Sequence, residues 1–429
     1  MLWCMEPART TFPDDDRDRD APWGARVEFV VELARRLHMY GTTAQRLEGA
    51  IVQVAWHFNI VADVWSNPTG MILSLHDPSH PGTTITRVIR LQPGEDDLGR
   101  LAYADGIAED VIANRRDIAS GLAAMYELDK PRRVGASGWR VVAYGLASAS
   151  VAGLLPHSGW ADLTTAALLG CVIGLLAEAS LARPSLDHAL EAIAAFMVTL
   201  MASAVAAFVA PLALQGVIIA GLIVLMPGLS LTTAVSELSA KQLMSGTARF
   251  AGAVTTLMKL AFGAVAASSV ADMLGWHPMP NRGAALPYWM PWLTLLAGSF
   301  AFAVLFKAKR RDFPLVMASV WLGYGVTRAA SLLPLAASTL PTGVFLAGVV
   351  VAAAGNVYGR LANRPSALIR VPGIILLVPG ALGFRGFNFV FERDVMLGLD
   401  TAIAVIAALI ALVAGILFGN LLFPPRRNL

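Results

Sequence analysis

The spacing of apolar and polar residues changes character about a third of the way along the chain. Over 27–37 and again over 47–58, apolar residues recur every three or four positions, which predicts two helices with one buried face each. Three short β-rich runs and two further helical patterns follow, at Ile60–Trp65, Met71–Leu75, Thr83–Leu91, Asp96–Ala113 and Arg115–Leu128. We therefore expect a small α/β domain over residues 21–134, preceded by an Asp-rich disordered tail over residues 1–20.

Beyond residue 135 the chain is a series of long apolar segments. Each is close to the ~20 residues that a membrane-spanning helix needs. The ten segments are 138–155, 161–181, 187–209, 212–227, 248–271, 288–306, 313–332, 342–358, 368–384 and 395–422. They divide into two sets of five, in residues 135–275 and 276–429, and an odd number of spans makes the second set enter the membrane inverted. The pattern predicts a mainly α membrane protein of ten transmembrane helices, built as a 5+5 inverted repeat behind a cytosolic α/β head domain.

Each set of five carries the same break near the end of its fourth segment. Val224-Leu225-Met226 precedes Pro227-Gly228, and Leu376-Leu377-Val378 precedes Pro379-Gly380. Interrupted backbone at membrane depth is tolerated where it is buried in protein or lines a cavity. Paired breaks in corresponding places of two halves are the sequence signature of a transporter's substrate site. The alternative is that both dipeptides are ordinary helix ends, where Pro and Gly are common.

Charge supports this division and fixes an orientation. Only 15% of the 429 residues are charged, against roughly 25% in soluble proteins. Residues 1–137 carry a net charge of −5, and residues 138–429 carry +8. The basic residues concentrate in alternate connections, as in 307–311, which places those connections and both termini in the cytoplasm. The basic pI is therefore a membrane-topology signal, and we expect no nucleic-acid partner.

The sequence offers no signal of enzymatic or cofactor chemistry. Cys4 and Cys171 are the only cysteines, so no disulfide framework is expected. The run from His76 to His80 contains Pro78, which denies the two histidines the helical spacing of a metal site. No Gly-rich phosphate loop is present, which argues against ATP as the driving force. We expect a transporter without cofactor or metal; a membrane-anchored hydrolase, or a sensor that uses the head domain, is the alternative from another class.

Four spaced motifs stand out along the chain. In the head domain they comprise Gly41, Arg46 and Glu48, followed by the strand motif Pro68, Thr69 and Gly70. In the membrane part they comprise Pro227-Gly228 through Thr232 with Glu237, Gly246 and Arg249, and then Val371-Pro372-Gly373 with Val378-Pro379-Gly380. Together these motifs resemble those of the threonine/serine exporter family, and the resemblance runs from about residue 24 to the end. It implies a proton-coupled exporter of threonine and serine in the bacterial plasma (inner) membrane; relatives with separate halves export dicarboxylates such as succinate, which is the alternative substrate class.

The candidate substrate site follows from the breaks. A helix that restarts after a break presents free backbone N–H groups, and these favour the carboxylate of a substrate. Ser230 is a candidate N-cap, and Thr232 and Ser236 place two hydroxyls on one helical face. The candidate substrate-binding residues are Pro227, Gly228, Ser230, Thr232, Ser236, Pro379 and Gly380. The alternative for the hydroxyls is a hydrogen bond to their own helix backbone.

Charged residues in or beside apolar segments are candidates for proton transfer or gating. Glu178 is the clearest intramembrane carboxylate, with Lys259 and Arg328 as candidate basic partners; Glu237 and Lys241 have the i,i+4 spacing of a helical ion pair. The candidate set is Glu178, Glu237, Lys241, Arg249 and Lys259. The expected partners are a small-molecule substrate, protons and the lipid bilayer, and association into a homo-oligomer is left open.

Overall fold

The computed structural model describes residues 21–80, 82–128, 136–156, 158–279, 286–332 and 341–425. The predicted disordered tail over residues 1–20 lies outside these ranges. The chain divides into two compact units, with the boundary at Pro131–Arg132. Each unit has its own architecture.

The N-terminal unit combines four helices with a three-stranded sheet. Its elements are α1 (Trp23–Met39), α2 (Ala44–His57), β1 (Val61–Asn67), β2 (Gly70–His76), β3 (Thr84–Arg90), α3 (Leu98–Ile112) and α4 (Ile118–Glu127). The strands pair antiparallel in the order β1-β2-β3, and Asn67 pairs with Gly70 across the first turn. The apolar faces of α1 and α2 supply fully buried side chains such as Phe29, Leu33 and Leu47.

The second unit is entirely helical in its described residues. Its helices are α5 (Ala136–Leu154), α6 (Trp160–Ser180), α7 (Pro184–Phe208), α8 (Leu214–Leu222), α9 (Gly228–Ser239), α10 (Leu243–Met273), α11 (Met290–Leu305), α12 (Phe313–Ala330), α13 (Thr342–Ala362), α14 (Ala367–Ile374), α15 (Gly380–Phe391) and α16 (Val395–Leu422). Two short 3₁₀ turns, Ile223–Leu225 and Arg310–Asp312, join neighbouring helices.

Five helices among the described residues are long and apolar enough to cross a membrane. These are α6, α7, α10, α13 and α16, and a sixth span results if the bent pair Leu214–Leu225 and Gly228–Ser239 is counted as one. The protein is thus mainly helical with five to six candidate membrane spans. The shorter α11 is apolar but has only 16 residues, because the segment predicted over 288–306 forms helix only from Met290.

Two predicted segments end too early. The fourth, 212–227, continues beyond its break as α9, after a bend of 60°. The ninth, 368–384, is interrupted after Ile374 and continues as α15 to Phe391. Arg385, which the segment bounds placed in a loop, therefore lies within a helix.

Several helix contacts in the first half of this unit have counterparts in the second half. α7 packs on α10 as α13 packs on α16, and α6 packs on α8 as α12 packs on α14. Between the halves, the last helix of each half contacts the helix that follows the break of the other half: α10 contacts α15, and α16 contacts α9. This arrangement brings the two broken helices to a common place in the unit.

Candidate functional site

The two Pro-Gly breaks have nearly the same backbone geometry. Pro227 precedes α9 with φ −80° and ψ 41°, and Pro379 precedes α15 with φ −82° and ψ 35°. Each proline is the N-cap residue of a 12-residue helix. A proline at this place cannot continue the preceding helix, since it lacks the N–H group that the next hydrogen bond needs. The repeated dipeptide thus produces a repeated local structure.

The two breaks touch each other through their glycines. A Cβ atom built on Gly228 lies 2.5 Å from Val378 Cγ1 and 3.5 Å from Gly380 Cα. One built on Gly380 lies 3.2 Å from Gly228 Cα and 3.3 Å from Met226 Cβ. Both glycines are buried. Absence of a side chain at both positions therefore allows backbone to approach backbone at the crossing of the broken helices.

The helix that follows each break begins without a side-chain cap. Ser230, expected as N-cap, is instead the third residue of α9, and Pro227 holds the N-cap position without a side-chain hydrogen bond. The N–H of Leu231 donates to Pro227 O at 3.0 Å, and that of Gly383 donates to Pro379 O at 3.0 Å. The N–H of Gly228 donates to Met226 O at 2.8 Å, whereas the next amides of α9, such as that of Ser230, have no backbone acceptor in the described residues. Such N–H groups favour an anion.

The hydroxyl groups on α9 differ in their surroundings. Thr232 is buried and donates its hydroxyl hydrogen to Gly228 O at 3.2 Å, which is the backbone hydrogen bond typical of Thr in a helix. Ser236 lies one turn further along the helix and is half-buried. The two side chains share a face, and at Thr232 the hydrogen bond is made within the helix.

The ion pair predicted between Glu237 and Lys241 is not a helical i,i+4 pair. α9 ends at Ser239, and Lys241 lies beyond it with φ 65°. Glu237 is buried, with 1% of its side chain exposed; its Oε2 accepts from Ser245 Oγ at 2.8 Å and from Arg249 Nε at 3.2 Å. The buried carboxylate therefore joins α9 to α10 through Arg249.

Glu178 is not isolated, contrary to the expectation from its apolar segment. Arg140 Nη2 on α5 donates to Glu178 Oε2 on α6 at 2.8 Å, and the two side chains are 29% and 19% exposed. Lys259, one of the two predicted partners, instead donates to His188 O at 3.0 Å and lies 3.5 Å from Glu191 Oε2. The sequence argument failed because Arg140 lies within a predicted span and was not counted as a partner.

In the N-terminal unit, the motif residues near α2 hold neighbouring elements together. Glu48 Oε1 accepts the N–H of Ser66 at 2.9 Å, which ties α2 to β1. Gly41 has φ 83°, and a Cβ on it would lie 2.8 Å from Asp96 Oδ1. Burial lowers the pKa of Arg46, while the charge of Asp105 opposes that shift. Gly41 and Glu48 therefore have structural roles in the unit.

The second head motif forms the turn between β1 and β2. Asn67 Oδ1 accepts from both the N–H and the hydroxyl of Thr69 at 3.0 Å, with Pro68 between them. A Cβ on Gly70 would lie 2.6 Å from Ile89 O of β3. Thr69 O in turn accepts from the N–H of Leu91 at 3.1 Å. The motif thus fixes the register of the sheet.

The histidine-containing loop of this unit shows no metal-site geometry. His80 Nδ1 lies 2.9 Å from Asp77 Oδ2, while His76 Nδ1 lies 2.9 Å from Thr84 Oγ1. Burial raises the pKa of Asp77, but hydrogen bonds from His80 and Ser79 outweigh that effect and leave the pKa lowered. Within the ranges that the structure describes, no group of three or more His, Cys, Asp or Glu residues is arranged to hold a metal ion.

A cavity of about 150 Å³ lies between α7, α8, α10 and α15. Arg385 and Asn388 of α15 line it, together with Glu392 directly after the end of that helix. Thr199 of α7 also lines the cavity. The sequence did not predict this site, because the segment bounds placed the charged residues in a loop; the helical spacing of Arg385 and Asn388 was the available signal.

Comparison with known proteins gives one consistent family. A family model for the threonine/serine exporter, ThrE, matches residues 28–271, and a second model for the same family matches residues 292–422. An uncharacterized protein of Schizosaccharomyces pombe is 25% identical over 256 residues, which are 58% of this chain and 33% of that protein.

Two further relatives are fungal membrane proteins. The pheromone-regulated membrane protein 10 of Zygosaccharomyces rouxii is 23% identical over 70% of this chain and 31% of its own length. The protein of that name from Saccharomyces cerevisiae is 23% identical over 70% of this chain and 40% of its own length. The chain thus spans about a third of the length of the curated relatives it matches. No solved structure matches.

Proposed function

The chain belongs to the threonine/serine exporter family, and we propose that it is a secondary active exporter of small hydroxy amino acids. It is a multi-pass membrane protein with apolar helices of spanning length. The observation that carries the proposal is the direct contact between the two Pro-Gly breaks, Gly228 against Gly380. Two interrupted helices that meet within a membrane unit are the usual surroundings of a transported solute.

The chemistry of the breaks suits a substrate that bears a carboxylate. The first turns of α9 and α15 have no side-chain cap, so their N–H groups and the helix dipoles favour an anionic group. We assign substrate contact to the residues at and after the breaks, which are Pro227, Gly228, Ser230, Thr232, Ser236, Pro379 and Gly380. In the described conformation the glycines touch each other, so a substrate reaches these amides when the two broken helices separate.

The proposed architecture is ten spans in a 5+5 inverted repeat. Its support is the exchanged packing of α10 on α15 and of α16 on α9, which is the pattern that a two-fold relation between halves produces. Alternating access then corresponds to movement of one half against the other about the crossing of the breaks.

We further propose that the driving force is the proton gradient and that charged residues beside the breaks control access. Glu178, paired with Arg140, is the candidate proton carrier. Glu237 and Arg249 join α9 to α10 and are candidates for a gate, with Lys241 at the end of α9. Lys259 belongs to the same set through its contact with Glu191.

The proposed location is the plasma (inner) membrane of a bacterium, with the N-terminal unit and both termini in the cytoplasm. The clustering of basic residues in alternate connections supports this orientation. Single-cysteine labelling tests it at three places: the N-terminus, the loop 307–311 and the C-terminus. We expect no labelling from outside intact cells, and labelling at any of the three contradicts the ten-span topology.

The test of the function is counterflow in proteoliposomes. Vesicles loaded with unlabelled serine or threonine should accumulate labelled serine faster than protein-free vesicles, whereas vesicles loaded with succinate should not. Counterflow with succinate alone identifies the alternative, a dicarboxylate exporter. If neither class exchanges and the N-terminal unit has hydrolytic or ligand-sensing activity, the proposal of an exporter is wrong.

A further inference from the structure

The cavity between α7, α8, α10 and α15 contains buried polar atoms without partners. Thr199 is fully buried, and neither its Oγ1 nor the buried Oδ1 of Asn388 has a hydrogen-bond partner among the described residues. A buried polar atom without a partner is costly, by about 1–3 kcal/mol. The two residues that carry these atoms line the same cavity, which favours a polar ligand that completes their hydrogen bonding.

Thr199 differs from several threonines of the helical unit in making no hydrogen bond to its own helix. The hydroxyls of Thr232, Thr247, Thr255, Thr327 and Thr401 each donate to a carbonyl four residues earlier in their own helix. That bond is the ordinary solution for a hydroxyl in an apolar helix. The Thr199 hydroxyl does not make it and so remains available to a ligand.

Two opposite charges line the cavity together. Arg385 lies on α15, and Glu392 is the residue that directly follows the end of this helix, with Asn388 between them in the sequence. Both are exposed, and neither forms an ion pair within the described part of the chain. The Arg385 guanidinium lies 6.0 Å from the ring centroid of Phe389, which favours an oriented cation. A guanidinium matches a carboxylate, and a carboxylate matches an ammonium group.

The size of the cavity limits the ligand. Sites for drug-sized ligands have about 300–1,000 Å³, whereas a 150 Å³ cavity holds a molecule of about the size of benzene. Phe384, which lines the cavity, lies four residues beyond Gly380, about one helical turn from the break. The volume therefore suits a small solute close to the crossing of the broken helices.

We infer that this cavity is a second site, beside the breaks, that binds the transported amino acid as a zwitterion while the two broken helices are still in contact. Arg385 takes the carboxylate, Glu392 takes the ammonium group, and Thr199 with Asn388 takes the side-chain hydroxyl. The inference rests on the proposed function and adds the residues that select the substrate. Glu392 repels a second carboxylate, so the site disfavours dicarboxylates.

The test pairs ligand analogues with protein variants. Each analogue lacks one group of serine, and each variant lacks the side chain that we propose binds that group. Serine, ethanolamine, 3-hydroxypropionate and alanine compete with labelled serine in counterflow, since the three analogues lack the carboxylate, the ammonium and the hydroxyl respectively. In the wild type each analogue should bind at least about tenfold more weakly than serine, the factor for about 1.4 kcal/mol.

Each variant should lose only the preference for serine over the analogue that lacks the corresponding group. Arg385→Gln should weaken serine about tenfold and leave ethanolamine unchanged. Glu392→Gln should weaken serine similarly and leave 3-hydroxypropionate unchanged. Thr199→Val should reduce the preference for serine over alanine. The matched controls are Arg183→Gln, an exposed cation directly before α7, and Thr255→Val, whose hydroxyl bonds to Ala251 O; both should behave as the wild type.

Two outcomes separate the inference from the proposed function. If the wild type exchanges serine and the three cavity variants keep the wild-type order of all four ligands, or lose all four equally, the cavity is not a substrate site. If the wild type exchanges no amino acid at all, the proposed function fails and the inference fails with it.

Discussion

The helices that follow the two breaks begin alike and end differently. α9 and α15 both have 12 residues, a proline N-cap and the same backbone angles at the break. On α9, the carboxylate of Glu237 is buried and bound by Ser245 and Arg249. At α15, Arg385 and the following Glu392 line a cavity and form no ion pair in the described residues. The charged group of α9 is thus bound by neighbouring side chains, whereas the charged groups at α15 are not.

The difference shows that different residues determine the backbone break and the polar surroundings of the helix that follows it. Pro-Gly dictates the break in each half, because proline removes a donor and glycine permits close approach. The polar side chains one to three turns after the break differ between the halves. On α9 they bind a neighbouring helix of the same half, and at α15 they line a cavity that we propose binds a solute. A repeat of backbone therefore need not be a repeat of function.

The largest expected effect comes from adding one methyl group at the crossing. Gly228→Ala places a Cβ 2.5 Å from Val378 Cγ1, and we expect serine counterflow to fall at least about tenfold. Because the obstacle is a side chain, Val378→Ala in the same protein should restore much of the activity. Gly380→Ala meets the backbone of Gly228 at 3.2 Å, so the same second change should not rescue it. Equal rescue of both would contradict a direct contact of the breaks.

A second prediction concerns the closed helix. Glu237→Gln leaves Arg249 in a mostly buried place without its counter-charge, and removing one partner of a buried pair costs about 3 kcal/mol. We expect a clear fall in the thermal midpoint of the detergent-solubilised protein. Lys241→Gln, at an exposed position, should change stability by less than about 0.5 kcal/mol. If the two variants lowered the thermal midpoint by similar amounts, the result would instead support the Glu237–Lys241 ion pair that the sequence predicted.

A smaller effect on stability is expected at Glu178. The side chains of Glu178 and Arg140 are 19% and 29% exposed, whereas that of Glu237 is 1% exposed, so either variant should cost less than the ~3 kcal/mol expected for Glu237→Gln. For a proton carrier, Glu178→Gln slows gradient-driven efflux and leaves exchange less affected, whereas Arg140→Gln keeps coupled efflux. If both variants reduce efflux and exchange in the same proportion, the pair has only a structural role.

Local patterns in the sequence predicted many of the helices and strands, but they could not predict contacts between residues that are distant in the sequence. β2 spans Gly70–His76 around the predicted Met71–Leu75, since turn residues and a short β-rich run define a strand locally. The contact of Gly228 with Gly380 joins residues 152 positions apart, and the partner of Glu178 lies on another helix. Spacing within one segment carries no information on such contacts, and an unpartnered hydroxyl such as that of Thr199 is visible only after the helices have packed.

The most direct test of the account compares Gly228→Leu with Gly380→Leu in serine counterflow. A leucine at either position fills the crossing, and because each half supplies one break to the same place, the two lesions should be alike. We predict that both variants insert into the membrane at wild-type levels, exchange serine no faster than protein-free vesicles and lose serine-induced thermal stabilisation. Normal flux in either variant would show that its break is an ordinary helix end, and would contradict a single site shared by both halves.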